Sequence, residues 1–236
     1  MPEPRVVLVT GGNRGIGRTI AEEFIAAGDR VAVTSRNGDA PEGALAVAAD
    51  VTDAASLDAA YTRVEEELGD VEVIVANAGI TRDNLLMRMG EDEFSAVVDT
   101  NLTGVFRTVK RGITNLIRHR YGRIVLISSV SGLYGVAGQA NYSAAKAGLV
   151  GLARSITREV GARGITANVV APGFVRTDMT EELPEKQQQE YLSAIPAKRF
   201  AEPSEVAKVV RWVASDEAAY ISGAVIPVDG GLGMGH

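Results

Sequence analysis

The stretch Arg5-Val6-Val7-Leu8-Val9-Thr10-Gly11-Gly12-Asn13-Arg14-Gly15-Ile16-Gly17 decides the fold. Val6–Val9 is apolar without alternation, the pattern of a strand covered on both faces of a sheet. Gly11, Gly15 and Gly17 follow with Gly-x-x-x-Gly-x-Gly spacing, and an amphipathic stretch then runs from Gly15 to Ala27 before Gly28 stops it. A strand, a glycine turn and a helix in this order remove side chains where backbone N–H groups and a helix N-terminus can meet a pyrophosphate. A tight strand-to-helix turn needs glycines too, so the turn alone leaves both readings open.

Outward from this unit the chain repeats the alternation. Strands are expected at Arg30–Ser35, Ala44–Ala49, Val71–Ala76, Gly122–Ile127, Thr166–Ala171 and Ala224–Val228. Helices are expected at Ala54–Leu68, Glu91–Thr100, Leu102–Arg118 and Asn141–Ala162. Strands alternating with helices predict an α/β fold, a Rossmann-type doubly wound parallel sheet of about seven strands with helices on both faces. Ligands of such sheets sit beyond the carboxyl ends of the strands, where the strand order reverses. Thr10, Asn77, Ser129 and Pro172 all fall just past strand ends and are expected to converge on one crevice.

Composition narrows the class. The chain has 236 residues, and no Pro/Ser-rich linker or charge block divides it, which predicts one domain over 1–236. A formal charge of −6 argues against a general nucleic-acid binder. The absence of cysteine excludes disulfides, thiolate metal sites and cysteine nucleophiles. His119 and His236, the only histidines, are too few and too far apart for a metal cluster, so no metal is expected and both are read as surface residues. The N-terminus runs directly into the first strand and no apolar stretch approaches 18 residues, from which a soluble, cytoplasmic protein without a membrane span is expected.

The chemistry is carried by Asn141-Tyr142-Ser143-Ala144-Ala145-Lys146, which puts a phenol and an ammonium at i and i+4 on one helical face. A free tyrosine ionises near pH ~10, and bringing it toward neutrality takes about 4 kcal/mol of preferential stabilisation of the anion. An ammonium one turn away can contribute to that and make Tyr142 a usable acid or base. Ser129, thirteen residues upstream of Tyr142, ends the apolar run Arg123–Ile127. With the glycine turn, these residues describe a dinucleotide-dependent dehydrogenase. A methyltransferase would share the turn but has no use for the Ser129, Tyr142 and Lys146 set.

The second strand ends in Thr34-Ser35-Arg36, where an NAD-preferring site would carry an acid for the ribose 2′-hydroxyl. Arg36, with Arg14 in the glycine turn as a second cation, favours the 2′-phosphate of NADP. Asp39 lies too far into the following loop to serve as that acid.

On Thr10–Gly17, Asp50-Val51, Asn77-Ala78-Gly79, Asn101, Ser129, Gln139-Ala140-Asn141-Tyr142 with Lys146, Pro172–Thr180 and the ending Ile226–Gly231, the chain resembles a short-chain dehydrogenase/reductase. Within that superfamily it resembles the 3-oxoacyl-[acyl-carrier-protein] reductases of bacterial fatty-acid synthesis, actinobacterial members especially. The resemblance implies that Tyr142 donates a proton to the ketone oxygen while NADPH delivers hydride to the carbon. It also implies that Lys146 lowers the phenol pKa and binds the nicotinamide ribose, that Ser129 orients the carbonyl, and that Asn101 holds a water reconnecting Lys146 to solvent. A mid-helix Asn can also be a local helix defect. Cofactor contacts are implied for Gly11, Asn13, Arg14, Gly15, Ile16, Gly17, Arg36, Asp50, Val51, Asn77, Ala78, Gly79, Tyr142, Lys146, Pro172, Gly173, Val175 and Thr177. Arg120 and Arg163 match the basic residues by which the family docks acyl carrier protein, and are expected at the crevice entrance of the same subunit or of a neighbour. Tyr134 stands where some long-chain members carry Trp. The resemblance further implies a homotetramer, with Asp92–Arg118 and Asn141–Ala162 in one two-fold interface, helped by the small Gly148, Gly151 and Ala153, and the C-terminal strand in another.

Other segments carry weaker expectations. Residues 180–200 are expected to act as a lid over substrate, an ordinary surface helix being the alternative. Met87 and Met89 are read as core or interface residues, Asp229-Gly230-Gly231 as a turn, and Ser128 and Ser131 as structural. Another short-chain reductase, of acetoacetyl-CoA, a polyketide or a small ketone, would share every catalytic residue. A non-catalytic NADP-binding regulator on the same fold would be expected to lose Tyr142 or Lys146.

Overall fold

The computed structural model describes residues 3–177 and 185–234, apart from the side chain of Gln187. Seven strands form one sheet: β1 (Val6–Thr10), β2 (Arg30–Ser35), β3 (Leu45–Ala48), β4 (Val73–Ala76), β5 (Gly122–Ile127), β6 (Ile165–Pro172) and β7 (Val225–Val228). All pairings are parallel and the order is β3-β2-β1-β4-β5-β6-β7. The order reverses between β1 and β4, so the crevice beyond Thr10 and Ala76 is the switch point of the sheet.

The helices are α1 (Gly15–Ala26), α2 (Ala54–Glu67), α3 (Glu91–Val98), α4 (Gly104–His119), α5 (Ser131–Tyr134), α6 (Ala140–Val160), α7 (Glu185–Ala194) and α8 (Pro203–Val213). Period-two alternation along the strands sorts the core into two layers. Val6, Leu8, Ile74, Ile124 and Leu126 meet Tyr61 of α2, Val105 and Val109 of α4 and Leu149 of α6. Val7, Val9, Val73, Val75 and Val125 meet Ile20 and Phe24 of α1 and Val206 and Val210 of α8 on the other face. Both sheet faces are thus covered, which is why the strands read as unbroken apolar runs.

The region expected as two adjoining helices is α3 and α4 joined by a π-helical turn over Asp99–Thr103. Asn101 sits in that turn with 0% exposure, its side chain turned inward rather than along the helix surface. A side chain withdrawn to bond another segment is a known cause of such bulges, which are frequent at functional sites.

Met87 does not enter the core: it is 87% exposed, on a short 3₁₀ turn over Leu86–Arg88. Of the small residues on α6, a side chain at Gly148 would strike Leu102 and Ala153 is fully buried, so both serve packing within the chain, while Gly151 has open space. The expected lid falls partly on residues outside those described, as do Asp178, Met179, Thr180 and His236. Its remainder is α7, whose Tyr191 stacks on Phe174 with ring centroids 4.2 Å apart, and Ile195, which is buried. Among the described residues no helix is long and apolar enough to cross a membrane, and no cluster of His, Cys, Asp or Glu is placed to hold a metal.

Candidate active site

The glycine turn is held shut by Asn77 from the end of β4. Its Nδ2 donates to the carbonyls of Thr10 at 3.0 Å and Gly11 at 2.9 Å. Thr10 Oγ1 in return accepts from the amides of Asn77 and Ala78, each at 3.1 Å. A Cβ on Gly17 would collide with Asn77 Nδ2 and the Gly11 carbonyl, and one on Gly11, at φ +65°, would lie 2.8 Å from the Ala78 Cα. These glycines are demanded by close approach of β1, β4 and α1. Gly15 differs: nothing lies nearer to its Cβ position than Thr177 Cγ2 at 4.0 Å, which leaves room over the start of α1. Arg14 occupies the N-cap of α1 without a side-chain capping bond. Asn13, Ile16 and the N-terminal amides of α1 thus border a cradle with the shape and polarity for a pyrophosphate.

At the carboxyl ends of β2 and β3 stand Arg36 and Asp50. Arg36 is exposed, as is Arg14, while Thr34 and Ser35 are buried. Asp39 is engaged locally by Asn37, and its backbone carbonyl accepts from Ser35 Oγ. The Asp50 carboxylate accepts from Thr52 N at 2.9 Å and Thr52 Oγ1 at 2.7 Å. These bonds, with help from nearby Arg36, hold its carboxyl below the usual range. Val51 is buried against Gly104, where a Cβ would come within 2.9 Å of Val51 Cγ2.

Beyond β5 and β4, Ser129, Tyr142, Lys146, Gly79 and Asn101 come together. The Ser129 hydroxyl acts on the Tyr142 phenol in the direction of the phenolate, and Ser129 Oγ accepts from the Ser131 amide at 3.2 Å. Lys146 is 3% exposed; its Nζ donates to the Ile127 carbonyl at 2.7 Å and lies 5.7 Å from the Tyr142 ring centroid. Burial pushes its pKa down from 10.5 to about 8. The Tyr142 phenol departs from the expected depression by Lys146: burial raises it, with Ser129 opposing and the Asp83 charge adding. The reason is geometric, since the ammonium is drawn to the β5 carbonyl rather than to the phenol oxygen.

Asn101 bonds Ile80 in both directions, Oδ1 accepting from its amide at 2.8 Å and Nδ2 donating to its carbonyl at 2.9 Å. A Cβ on Gly79 would lie 3.2 Å from Asn101 Oδ1 and 3.6 Å from Lys146 Nζ, so the glycine admits both groups. Pro172 accepts from the Val130 amide at 2.8 Å, and Gly173 N donates to Val228 at 3.0 Å. Val175 is buried and bridges to Ala201, leading the chain to Thr177 above Gly15. Tyr134, 43% exposed at the end of α5, has its phenol raised by partial burial, with Tyr191 and Asp229 adding.

Two expected residues lie elsewhere. Arg120 follows α4 and precedes β5, and Arg163 precedes β6, so both stand at the amino edge of the sheet. Ser129 is at the opposite end of β5, about 20 Å away at ~3.3 Å per strand residue, so the same-subunit placement at the crevice entrance is overturned. The two are near one another, Arg120 Nη2 donating to the Ala162 carbonyl at 3.3 Å, beside a cavity of about 550 Å³ that includes Arg123 and Asp216.

Two contacts escaped the sequence, the first being the specific bond of Ser128, a residue read as structural. Ser128 Oγ donates to the Lys146 carbonyl at 2.9 Å. Gly132 lets α5 sit on α6, because a Cβ there would lie 2.9 Å from Ala147 N. The Gly-x-Tyr context of α5 carried no signal for this contact, which only the folding of α5 back onto α6 creates.

A parallel sheet with a glycine-turn cradle at its switch point and a Ser–Tyr–Lys cluster one strand away defines the class: a nicotinamide-dinucleotide oxidoreductase. The family model described as enoyl-(acyl carrier protein) reductase matches residues 11–233. The chain is 56% identical over 232 residues to the 3-oxoacyl-[acyl-carrier-protein] reductase MabA of Mycobacterium tuberculosis, covering 98% of this chain and 94% of that protein. It is 54% identical to MabA of Mycobacterium avium over 232 residues, 98% and 91% of the two chains. It is 47% identical over 240 residues to the 3-oxoacyl-[acyl-carrier-protein] reductase FabG of Escherichia coli, 98% of each chain. The chain belongs to the short-chain dehydrogenase/reductase family.

Proposed function

We propose that this chain reduces 3-oxoacyl-[acyl-carrier-protein] to 3-hydroxyacyl-[acyl-carrier-protein] with NADPH in fatty-acid biosynthesis, as a single NADP-binding domain over 1–236. The observation that carries the reading is buried Lys146, held on the Ile127 carbonyl two residues before Ser129 with its ammonium 5.7 Å from the Tyr142 ring, next to the glycine cradle. The fit of the cofactor rests on that cradle: crowding at Gly11 and Gly17 fixes the turn, while the space over Gly15 is left open. Gly11–Gly17 would hold the pyrophosphate, Asp50 and Val51 the adenine, Ala78 and Gly79 the adenosine side, and Pro172–Thr177 the nicotinamide end. Exposed Arg36 and Arg14, with no available acid after β2, favour the 2′-phosphate.

When bound, NADPH supplies a hydride to the ketone carbon. Ser129 and Tyr142 hydrogen-bond the ketone oxygen, and the Tyr142 phenol gives it a proton, a step that positioned acids speed by about 10²–10⁴-fold. A raised phenol pKa keeps that proton in place at neutral pH. Lys146, held on the Ile127 carbonyl with its ammonium 5.7 Å from the Tyr142 ring, turns to stabilise the phenolate once the proton has left, and Asn101 orders the path by which a proton returns. The cytoplasm is the expected compartment, and a homotetramer the expected assembly.

NADPH oxidation measured with acetoacetyl, longer 3-oxoacyl and trans-2-enoyl thioesters, each on carrier protein and on CoA, tests the reading. Turnover of 3-oxoacyl-carrier substrates is expected, lost by at least about 10²-fold in Tyr142→Phe with NADPH affinity kept. Turnover of enoyl thioesters alone would reassign the reaction to double-bond reduction.

A further inference from the structure

We propose that Asn141 is a positioning residue for Tyr142: it caps the first turn of α6 from within and pins that turn to the loop leaving β4. The inference rests on the reductase reading above. Tyr142 is the third residue of α6, and a bond from Ser143 N to the Gln139 carbonyl at 2.7 Å opens the helical ladder. The Tyr142 amide is therefore one of the donors that a helix start leaves without a partner along the helix. The N-cap side chain usually takes such a donor, but Gln139 makes no side-chain cap there. Its Nε2 donates instead to Asp83 Oδ2 at 2.9 Å. Asn141 Oδ1 takes over the task, accepting from the Tyr142 amide at 2.7 Å. Helix ends fray, and a proton donor in a first turn is held no better than the turn itself.

The other end of the Asn141 amide reaches the loop. Nδ2 donates to the Arg82 carbonyl at 2.8 Å and, at a longer 3.5 Å, to the Glu93 carbonyl of α3. Asn141 is fully buried. A flipped amide would set its oxygen against two carbonyls and its NH₂ against the Tyr142 N–H, so the surroundings fix its orientation. Arg82 is two residues from Ile80, which Asn101 bonds in both directions. Two fully buried asparagines thus hold the strap Ile80–Arg82 between the π-helical turn and the start of α6. Asn84 N adds a bond to the Gly138 carbonyl at 2.9 Å, just ahead of the helix. The partners of Asn141 are backbone groups, so it acts on the reaction through the placement of Tyr142. Removing its side chain leaves a buried amide and a buried carbonyl without partners at the turn that carries the phenol.

Two measurements test the pin. Amide hydrogen exchange on the whole parent protein, resolved to single residues, should show the Tyr142 amide slowed at least about 10³-fold relative to an unstructured chain, where a frayed first turn has almost no protection. Asn141→Ala should speed that exchange at least about tenfold. Steady-state reduction is then measured well below the unfolding midpoint, with rates divided by the number of NADPH-binding sites. Asn141→Ala should lower kcat at least about tenfold, since a misplacement of about 1 Å can cost 10²-fold, while KM and the NADPH dissociation constant stay within about threefold of the parent. A loss confined to KM or to cofactor affinity, with kcat per site kept, overturns the proposal. So does a parent Tyr142 amide that exchanges as fast as an unstructured chain, a result that stands even if Asn141→Ala does not fold. Exchange needs no substrate, so it reads the pin in a chain that turned out to reduce no 3-oxoacyl thioester, and the two readings fail separately.

Discussion

Ser128 and Lys146 latch β5 to α6 from both sides: the Ser128 hydroxyl donates to the Lys146 carbonyl at 2.9 Å, and the Lys146 ammonium donates to the Ile127 carbonyl at 2.7 Å. Both donors are buried, so each bond replaces water that neither carbonyl could otherwise reach. The latch fixes the distance between the end of the strand, where Ser129 stands, and the helix that carries Tyr142.

Ser128→Ala should therefore weaken the fold by about 1–2 kcal/mol, the range for a buried hydrogen bond with one partner removed. It should also lower kcat more than it raises KM, since it loosens Lys146 without touching the cradle. Denaturant unfolding and steady-state kinetics check this, and an unchanged kcat in a destabilised variant would separate the latch from the chemistry.

Lys146 gives a pH prediction. Its folded pKa is pushed down from 10.5 to about 8 by burial. Between those values the unfolded chain holds a proton that the folded one has lost, so this group makes stability rise with pH through that window. Below about pH 8 both states are protonated and burial of the charge costs about 3 kcal/mol. Lys146→Met removes that cost but leaves the Ile127 carbonyl without its donor, so a net gain of about 1–2 kcal/mol is expected near pH 7. The gain should vanish by about pH 10.5, while activity is lost throughout. A variant equally destabilised at every pH would mean that the carbonyl bond outweighs the buried charge.

The 2′-phosphate reading predicts NADPH preference over NADH, narrowed or reversed by Arg36→Asp. Each charge-assisted bond to a phosphate is worth roughly 1.5–3 kcal/mol, about 10- to 150-fold in affinity. Dissociation constants for both cofactors in parent and variant decide it. Arg14, at the N-cap of α1 beside the pyrophosphate cradle, should buffer the loss, so Arg14→Ala alone should act more weakly. Equal efficiency with the two cofactors in the parent would contradict the assignment.

What the sequence made legible was whatever strand burial and turn chemistry impose locally. β5 came out as Gly122–Ile127 in both readings because Ile124-Val125-Leu126-Ile127 is buried on both sides and must be apolar throughout. Thr10, Asn77, Ser129 and Pro172 converge because each ends or follows a parallel strand, and topology alone puts such residues on one edge. The same rule assigns Arg120 and Arg163, each just before a strand, to the opposite edge; matching them by motif without following strand polarity misplaced them. A local helix defect at Asn101 was open to the sequence, but its form as a π-helical turn was not, because its cause, the pairing of Asn101 with Ile80, spans 21 residues of sequence. The partner of Ser128, a residue read as structural, and the contact of Gly132 could not be read locally for the same reason, since both lie on α6. Met87 and Met89 read as core or interface by composition, yet Met87 lies exposed on a 3₁₀ turn that has no continuous face to bury it, which leaves only the interface reading for it.

The position of Arg120 and Arg163 makes the carrier-docking prediction a statement about assembly. On one subunit they lie at the amino edge of the sheet, across its full depth from Ser129. They can serve a crevice only if a neighbouring subunit brings its own catalytic edge beside them, with the acidic carrier bridging the two. Charge reversal at both arginines should then raise KM for carrier-bound 3-oxoacyl substrates while leaving kcat and CoA substrates nearly unchanged. The effect should shrink as salt rises from about 0.01 M to 0.15 M, over which the Debye length falls from about 30 Å to about 8 Å. Arg120 takes up a left-handed backbone at φ 52° and helps close the end of α4, so replacement there also carries a folding risk. The unaffected CoA rate is the control for that risk. Light scattering on the same samples supplies the other half of the test: a monomeric parent with a carrier-specific, salt-sensitive KM would place docking on a different surface, and a tetramer with no carrier-specific change would remove these two arginines from it.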